Sequence, residues 1–375
     1  MIPIIQPHFG PEEQAALIEV LRSGWVAQGP KVAEFERALA PVVGADHAVV
    51  VSSATAGLHL ALHVAGVGQG DDVIVPSLSF IATTNAAWMV GARPVFADVA
   101  PDLPVVSVAS VAAVWTPKTK AVIAVHQLGI PFDRQGLRDL CQQRGAVLIE
   151  DAACAMGSLH WKKPIAADAE LAVFSFHPRK ILTTGEGGAI VTNNPQYAER
   201  LRRLRQHGMT VAADQRHGGA QREQYAEPGW NYRMTDLQAA LGLVQLGRLT
   251  AILEKRRQLA ARYDEMLADL PGLALIWPRD CDHWNVQTYC ICLAPDPGQG
   301  YAERRDRVLK ALNDCGIGAR RGILAAHLEP AWFNADQPPL PYSEAWAAQS
   351  LALPLYHAMT EADQLEVVAR LRELL

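Results

Sequence analysis

Metal-binding and disulfide motifs are missing from this sequence, and so is a surplus of basic residues. Its six cysteines are scattered without a C-x-x-C pair, and none of its twelve histidines belongs to an H-E-x-x-H motif. These absences argue against a zinc site and against a disulfide framework. Lysine and arginine total 34 against 39 aspartates and glutamates, which gives a net charge of -5. Because nucleic-acid-binding surfaces are basic, we expect neither a metal nor a nucleic acid as a partner.

Long apolar runs are missing too, so no segment is predicted to cross a membrane. Residues 1–6 also lack the basic region and apolar stretch of a secretory signal, which predicts a cytoplasmic protein. Of the 375 residues, 50% are hydrophobic and only 19% are charged, as in a well-packed globular protein. A chain of this length exceeds one small core, and we expect about two domains.

Short runs of valine, isoleucine and alanine alternate with helical segments as far as about Thr192. Such runs are typical of strands buried on both faces, and the alternation predicts a mostly parallel, doubly wound α/β sheet. We predict strands at residues 48–51, 73–76, 95–97, 121–125, 146–149 and 172–176. We predict helices at residues 12–22, 32–39, 58–64, 82–90, 135–143 and 196–205.

The C-terminal part begins with a long helical pattern that ends near Leu267, with Thr235 or Asp236 as its N-cap. It continues with a strand at 288–293, a helix at 304–313, a glycine turn at 316–318 and a final helix at 361–374. We therefore predict a large domain at residues 1–245 and a smaller α+β domain at residues 246–375.

Polar residues follow five of the predicted strands. The carboxyl ends of parallel strands lie along one edge of a sheet, where α/β proteins bind their ligands. The sequence therefore predicts a ligand site at this edge. The polar groups that would meet there lie at residues 52–55, 77–80, 126–127, 150–151 and 177–180.

Lys180 follows the strand at 172–176, which Pro178 ends because proline has no N–H for the ladder. Thr183, Thr184 and a run of glycines come next, where the backbone can approach a ligand closely. A lysine held at such a turn can form a Schiff base with a carbonyl, since its pKa shifts readily on burial. The alternative is an ordinary surface lysine.

Asp151 ends a buried strand, 29 positions before Lys180. A buried carboxylate that stays ionised needs a cationic partner, and a protonated pyridine nitrogen is such a partner. That charge makes the ring an electron sink, which is what pyridoxal phosphate requires of its protein. Alternatively, Asp151 caps a helix that starts at Ala152.

A cradle for a phosphate is predicted at residues 53–57, where a strand passes into a helix through small residues and hydroxyls. Phe80 follows the next strand and either stacks on a flat cofactor or belongs to the core. Ser175 offers a second phosphate hydroxyl, or it is a buried serine bonded to the backbone.

These stretches together resemble the sugar aminotransferases of the DegT/DnrJ/EryC1/StrS family, which are fold-type I pyridoxal phosphate enzymes. The resemblance covers nearly the whole chain and implies an aspartate-aminotransferase-like fold. Such a fold has a large domain with a mostly parallel seven-stranded sheet and a small α+β C-terminal domain. The matching stretches, in family order, are residues 52–58, 76–83, 150–153, 174–180, 184–188 and 231–236.

The resemblance also implies roles for individual residues. Lys180 would hold the cofactor and move the proton, and Asp151 would pair with the pyridine nitrogen. Phe80 would lie against the ring face. The phosphate would be held by Ala54, Thr55, Ser175 and, from a neighbouring subunit, Asn231. The active unit would therefore be a homodimer with shared sites.

Cys154 departs from the family pattern, which usually has Gln or His three positions after the aspartate. That side chain normally bonds the phenolic oxygen of the cofactor, and a thiol is a poor substitute. Water or another group would then serve there, or the tautomer balance of the cofactor would differ.

The implied reaction transfers an amino group from L-glutamate, through pyridoxamine phosphate, to a nucleotide-linked keto sugar, expected to be a 4-keto-6-deoxyhexose. Candidates to bind the substrate are Glu186, His327 and the segment Arg320, Arg321 and Gly322, together with the loop at residues 211–224. The arginines and the histidine would hold the diphosphate or the sugar, and solvated surface charge is the alternative. Two other functions stay open. One is a cyclitol (keto-inositol) aminotransferase using glutamine or glutamate, and the other is a non-catalytic regulatory protein of the same fold.

Overall fold

The computed structural model describes residues 1–210, 223–276, 284–296, 298 and 300–375. Most of the candidate substrate loop at 211–224 and one cysteine, Cys281, therefore lie outside the described residues. No helix of the described part is long and apolar enough to serve as a membrane span.

Helices and strands alternate through the first half of the chain, as predicted. The helices are α1 (Pro11–Ser23), α2 (Pro30–Val42), α3 (Ala54–Val64), α4 (Ala82–Met89), α5 (Val108–Ala113), α6 (Arg134–Gln143), α7 (Pro195–Leu204), α8 (Asp236–Gly247), α9 (Leu249–Leu267), α10 (Tyr301–Asp314), α11 (Pro341–Gln349) and α12 (Glu361–Leu374). The strands are β1 (His47–Val51), β2 (Asp72–Pro76), β3 (Arg93–Ala97), β4 (Thr119–Val125), β5 (Val147–Asp151), β6 (Leu159–His160), β7 (Lys163–Pro164), β8 (Leu171–Ser175), β9 (Gly188–Thr192), β10 (Leu273–Leu275), β11 (Tyr289–Leu293), β12 (Arg320–Arg321) and β13 (Ser350–Leu353).

Seven strands form the main sheet in the order β1-β9-β8-β5-β4-β2-β3. The pairs β2–β3, β2–β4, β4–β5 and β5–β8 are parallel, and only β9 runs against its two neighbours. The predicted mostly parallel sheet is therefore confirmed. Sequence patterns did not predict β9 as a separate strand.

Both faces of the main sheet are covered, which explains why its strands are continuously apolar. In β1, Ala48 and Val50 pack in a cluster with Phe35 of α2, whereas Val49 and Val51 pack in another with Leu60 of α3. Successive strand residues point to opposite faces, so a strand with two dry faces has no polar position to alternate with.

A four-stranded antiparallel sheet, β10-β11-β13-β12, forms the C-terminal part with α10, α11 and α12. One apolar cluster joins it to the main sheet, since Val122 and Leu148 pack in the same core as Tyr263 and Ile291. This packing brings the segment before β11 to the polar edge of the main sheet. The domain boundary at residue 245 stays a prediction.

The long helical pattern that begins near Thr235 is two helices rather than one. Thr235 is the N-cap, as predicted, and its hydroxyl accepts a hydrogen bond from Gln238 N at 3.2 Å. The chain then leaves the helix at Arg248 (φ -98°, ψ 0°), directly after Gly247. Glycine is a poor helix former, and Arg248 also pairs with Glu13 at 3.0 Å. The break turns α9 towards the C-terminal sheet.

Candidate active site

Lys180 lies on a tight turn behind β8, in the middle of the polar edge. Its N–H donates to the carbonyl of His177 at 2.8 Å, and Phe176 N donates to Gly187 O at 2.9 Å. The Lys180 side chain is half-buried, and its Nζ donates to Cys154 Sγ at 3.1 Å. The turn therefore aims the amine inwards, and the interpretation of Lys180 as an ordinary surface lysine is wrong.

Asp151 is buried at the end of β5, with 5% of its surface exposed. Its Oδ2 accepts a hydrogen bond from Thr83 Oγ1 at 2.9 Å, and Oδ1 accepts from Ala153 N at 3.1 Å. Within the described residues no lysine, arginine or histidine makes an ion pair with it. Burial raises the pKa of Asp151, although these hydrogen bonds and the nearby Lys180 oppose the shift.

The alternative role of Asp151 as a helix N-cap is wrong, because a turn and not a helix follows at Ala152. Asp151 is instead a buried acid that, within the described residues, lacks a cation in direct contact. A protonated ring nitrogen fits this position, since it would supply both the missing charge and a hydrogen-bond donor.

Glu150, the preceding residue of β5, differs from Asp151 because it has cationic partners. Its carboxylate receives two hydrogen bonds from Arg134, at 2.8 and 3.0 Å, and lies 3.0 Å from His126 Nε2. Burial alone would raise the pKa of Glu150, but the His126 hydrogen bond and the Arg134 charge outweigh burial and lower it. Two adjacent acids on one strand thus have opposite surroundings, and only Asp151 is left without a counter-charge.

The predicted phosphate cradle lies at the start of α3. Ser53 is the N-cap and accepts from Ala56 N at 3.1 Å, so the N–H groups of Ala54 and Thr55 remain for a ligand, as at any helix start. A Cβ atom at Gly188 would lie 2.6 Å from Ala54 N. Glycine at this position therefore keeps the cradle open.

Strand register brings Ser175 to the same cradle. Gly188 pairs with Val51 on one side and with Ser175 on the other, so the ends of β1 and β8 flank the start of β9. Ser175 is buried, and among the described residues its hydroxyl accepts only a long 3.4 Å hydrogen bond from His177 N. The hydroxyl is thus available next to the helix start.

Phe80 lies at the same edge with 61% of its surface exposed, so its alternative as a core residue is wrong. The preceding Ser79 bonds to Thr83 at 2.9 Å, and Thr83 bonds to Asp151. An exposed aromatic ring next to a buried carboxylate and an inward-facing amine is suited to cover a planar ligand.

A model of the DegT/DnrJ/EryC1/StrS aminotransferase family matches residues 7–372. The chain belongs to this family. The solved aminotransferase TlmJ from Streptoalloteichus hindustanus is 34% identical, with a TM-score of 0.91 over 100% of this chain and 98% of TlmJ. DesV from S. venezuelae is also 34% identical, with a TM-score of 0.87 over 99% and 98% of the two chains.

A third solved relative links this aminotransferase to its cofactor. The sugar aminotransferase candidate Spr1654 from Streptococcus pneumoniae has been solved in PMP and PLP forms, at 28% and 27% identity. The TM-scores are 0.92 and 0.91, over 100% of this chain and 99% and 98% of Spr1654. The aminotransferase is pyridoxal-phosphate dependent, and both this prediction and the predicted fold type I are confirmed.

The three predicted substrate residues of the aminotransferase have different surroundings. Glu186 is exposed near the Lys180 turn, 3.8 Å from His177 Nε2. Arg321 is exposed on β12 and paired with Asp306 at 3.0 Å. His327 is buried, and its ring bonds to Ser77 and, at 3.4 Å, to Glu344. Their roles towards a substrate stay predictions.

Asn231 is exposed next to the end of β1, where Tyr232 O accepts a hydrogen bond from Ser52 N at 2.9 Å. Its predicted reach into a neighbouring subunit is not tested by a single chain. Among the described residues, no three His, Cys, Asp or Glu side chains are grouped to hold a metal ion.

Sequence patterns missed the residues that support the Lys180 turn from the C-terminal part. Gln287 Oε1 accepts from Ile181 N at 3.1 Å, and its Nε2 donates to Arg179 O at 2.6 Å. Asn285 Nδ2 donates to Cys154 O at 2.8 Å. These two side chains come from a segment more than 100 positions away, and a lone Asn or Gln before a strand gives no recognisable signal.

Proposed function

We propose that this aminotransferase moves an amino group from L-glutamate to the keto group of a nucleotide-linked sugar, a 4-keto-6-deoxyhexose. The observation that carries the proposal is the inward-facing Lys180 amine on the same sheet edge as the buried, cation-less Asp151 carboxylate. The similarity to Spr1654, a sugar aminotransferase candidate, supports a sugar as the acceptor.

When bound, pyridoxal phosphate supplies an electron sink that lets an amino acid lose the proton on its α-carbon. Asp151 would keep the ring nitrogen protonated, because a buried carboxylate without a counter-charge stabilises a cation beside it. Ala54, Thr55 and Ser175 would bind the phosphate through N–H groups and a hydroxyl. Lys180 would hold the cofactor, and its Nζ would accept the substrate proton and return it.

The proposed active unit is a cytoplasmic homodimer. Asn231 is exposed in the single chain, so its amide is free to reach the phosphate of a neighbouring subunit. The exposed ring of Phe80 leaves an apolar surface at the edge of the site, which a bound cofactor would cover.

The test is a two-stage assay on the cofactor-loaded enzyme. Adding L-glutamate should change the visible spectrum of the bound cofactor, and adding a UDP-, dTDP- or GDP-linked 4-keto-6-deoxyhexose should restore it with formation of an amino sugar. L-Glutamine and a keto-inositol are tested in parallel, and amination of the keto-inositol alone would contradict the proposal.

Lys180→Ala should abolish both stages, because the covalent anchor and the proton carrier are the same amine. Lys163→Ala is the matched control, since Lys163 is exposed and paired only with Asp168 at 3.0 Å. Turnover of Lys180→Ala at the rate of the control would remove Lys180 from the mechanism.

A further inference from the structure

The segment at residues 230–232, which carries Asn231, is bonded to the phosphate cradle of its own chain. Tyr232 O accepts a hydrogen bond from Ser52 N at 2.9 Å. Ser52 directly precedes Ser53, the N-cap of α3. The backbone that leads into the cradle is therefore fixed to the residue that follows Asn231.

The side chain of Tyr232 makes a second link to the same helix. Its hydroxyl lies 3.0 Å from Nδ1 of His59, which is buried on α3. Burial, and then the charge of His63, lower the pKa of His59 to about 4, and burial raises the pKa of Tyr232. Both groups are therefore neutral near pH 7, and the phenol can donate to the unprotonated nitrogen of the imidazole.

Trp230 anchors the other side of Asn231. Its ring meets the rings of His59 and His63 edge-on, with the ring centroids 4.7 and 4.9 Å away. The two histidines are four positions apart and so lie on one face of α3. Trp230 N also donates to Leu204 O at 2.8 Å, at the C-terminal end of α7. The residues on both sides of Asn231 thus have fixed positions relative to α3.

Arg205 extends this unit to the strand before the cradle. Its carbonyl accepts from Tyr232 N at 2.9 Å, and its guanidinium donates to Val50 O at 2.7 Å. The guanidinium also pairs with Glu36, whose carboxylate accepts from Val50 N at 2.9 Å. β1 is an edge strand of the main sheet, so this ion pair occupies backbone groups that a further strand would otherwise bond. β1, the cradle and residues 230–232 are thus held together as one unit.

Asn231 is exposed between these two anchored residues. In the proposed homodimer its amide serves the phosphate of the neighbouring subunit, whereas Trp230 and Tyr232 contact the cradle helix of their own subunit. A shift of one cradle would therefore move the Asn231 on which the other site depends.

We propose that Tyr232 and His59 are positioning residues that couple the two phosphate sites of the dimer. The inference rests on the proposed function, in which Asn231 reaches the neighbouring site. The hydrogen bond between Tyr232 and His59 fixes the start of α3 for the cofactor of its own subunit, and it fixes Asn231 for the cofactor of the other. Loss of this bond in one subunit should therefore weaken cofactor binding at both sites.

The test uses heterodimers with one working site. Two subunits with different affinity tags are co-expressed, and the mixed dimer is purified through both tags. One subunit carries Lys180→Ala, so the visible absorption of cofactor joined to Lys180 reports only the site of the other subunit. Tyr232→Phe is then placed either in the subunit with the working site or in its Lys180→Ala partner.

Tyr232→Phe should weaken cofactor binding at the working site by about two- to tenfold in either placement, as expected for the loss of one hydrogen bond. A role confined to the local cradle would produce the loss only when the substitution is in the working subunit. An effect in only one of the two placements, or in neither, overturns the proposal. A cofactor-loaded wild type that is monomeric in analytical ultracentrifugation overturns it as well.

A double-substitution cycle tests the bond itself. Tyr232→Phe should cause little further loss in a subunit that already carries His59→Leu, because both substitutions remove the same hydrogen bond. An equal loss from Tyr232→Phe with and without His59→Leu overturns the proposal. Tyr197→Phe is the matched control, since the Tyr197 hydroxyl bonds to Glu170 at 3.3 Å, and it should leave the cofactor affinity unchanged. A loss in this control as large as that of Tyr232→Phe also overturns the proposal.

Asn231→Ala in the same heterodimers tests the route between the sites. It should weaken the working site more when it is in the Lys180→Ala partner than when it is in the working subunit. The reverse order would place Asn231 in the site of its own subunit and overturn the coupling. The proposed function fails separately, if L-glutamate produces no spectral change in the wild type. The present inference fails if the wild type responds and Tyr232→Phe in the Lys180→Ala partner leaves the cofactor affinity of the working site unchanged.

Discussion

Gln287 is expected to support the Lys180 turn, and its replacement by alanine is a direct test. The side chain is 95% buried, since only 5% of the residue is exposed. It bonds to two backbone groups that flank the lysine, Ile181 N at 3.1 Å and Arg179 O at 2.6 Å. Gln287→Ala removes both hydrogen bonds and leaves Lys180, Asp151 and the predicted phosphate cradle unchanged in sequence.

The loss in the free energy of unfolding depends on whether each backbone group can bond to water once the Gln287 side chain is removed. Ile181 is buried, so its N–H loses its acceptor without access to water, at about 1–3 kcal/mol. Arg179 is an exposed residue, and its carbonyl can regain a hydrogen bond from solvent at a smaller cost. We therefore expect the free energy of unfolding to fall by about 2–3 kcal/mol. A looser turn should also weaken cofactor binding.

Urea unfolding gives the free energy, and cofactor titration followed by visible absorption gives the affinity. The control is Gln135→Ala, because Gln135 is exposed and its amide bonds only to Asp139 at 2.8 Å. That variant should change stability by less than about 0.5 kcal/mol. If Gln287→Ala matches Gln135→Ala in both measurements, the idea that the C-terminal part holds the lysine turn is refuted.

Two further substitutions test the site and the C-terminal part. Cys154→Gln should change kcat/KM by less than about tenfold, because an amide oxygen can accept from Lys180 Nζ as the thiol does; complete loss of activity would show that the thiol has another role. Burial raises the pKa of Asp264 to about 6, above its usual 3.8. The stability it contributes is therefore full below about pH 4 and is lost as the pH rises through 6. Asp264→Asn keeps an acceptor for Tyr289, bonded at 2.7 Å, and should flatten this slope in denaturation series run across that pH range; an unchanged slope would contradict it.

The sequence was informative where local pattern and burial agree. The continuous apolar run at 146–149 predicts a strand buried on both faces, and the acid that follows it is then expected at the ligand edge. The same argument from strand ends predicted that Lys180, Ser175 and the start of α3 lie at that edge. Local rules suffice there because a parallel sheet converts strand order into proximity.

Local sequence patterns did not predict the role of a residue where its contacts are with residues far away in the chain. Asp151 precedes two alanines and resembles a helix cap, but Ala152 N instead bonds to Val173 O at 2.9 Å, and the chain turns. Arg320 and Arg321 are indistinguishable in sequence. Arg321 pairs with Asp306 on α10, whereas Arg320 lines a small cavity together with Arg179 and Arg256. Such assignments depend on tertiary packing, which no short window of sequence contains.

Glu150 and Asp151 are neighbours on β5, and their side chains point to opposite faces of the sheet. Glu150 therefore has a cationic partner, whereas Asp151 has none in direct contact among the described residues. Arg134 neutralises Glu150 permanently, so that side of the sheet is the same with or without a ligand. Asp151 must instead hold an uncompensated negative charge or take up a proton while the cofactor is absent. Loading a cationic ring there should release that proton and raise the melting temperature. Because burial raises the pKa of Asp151 in the cofactor-free protein, the stability of that form falls as the pH rises through this pKa, and the gain on loading should grow with pH.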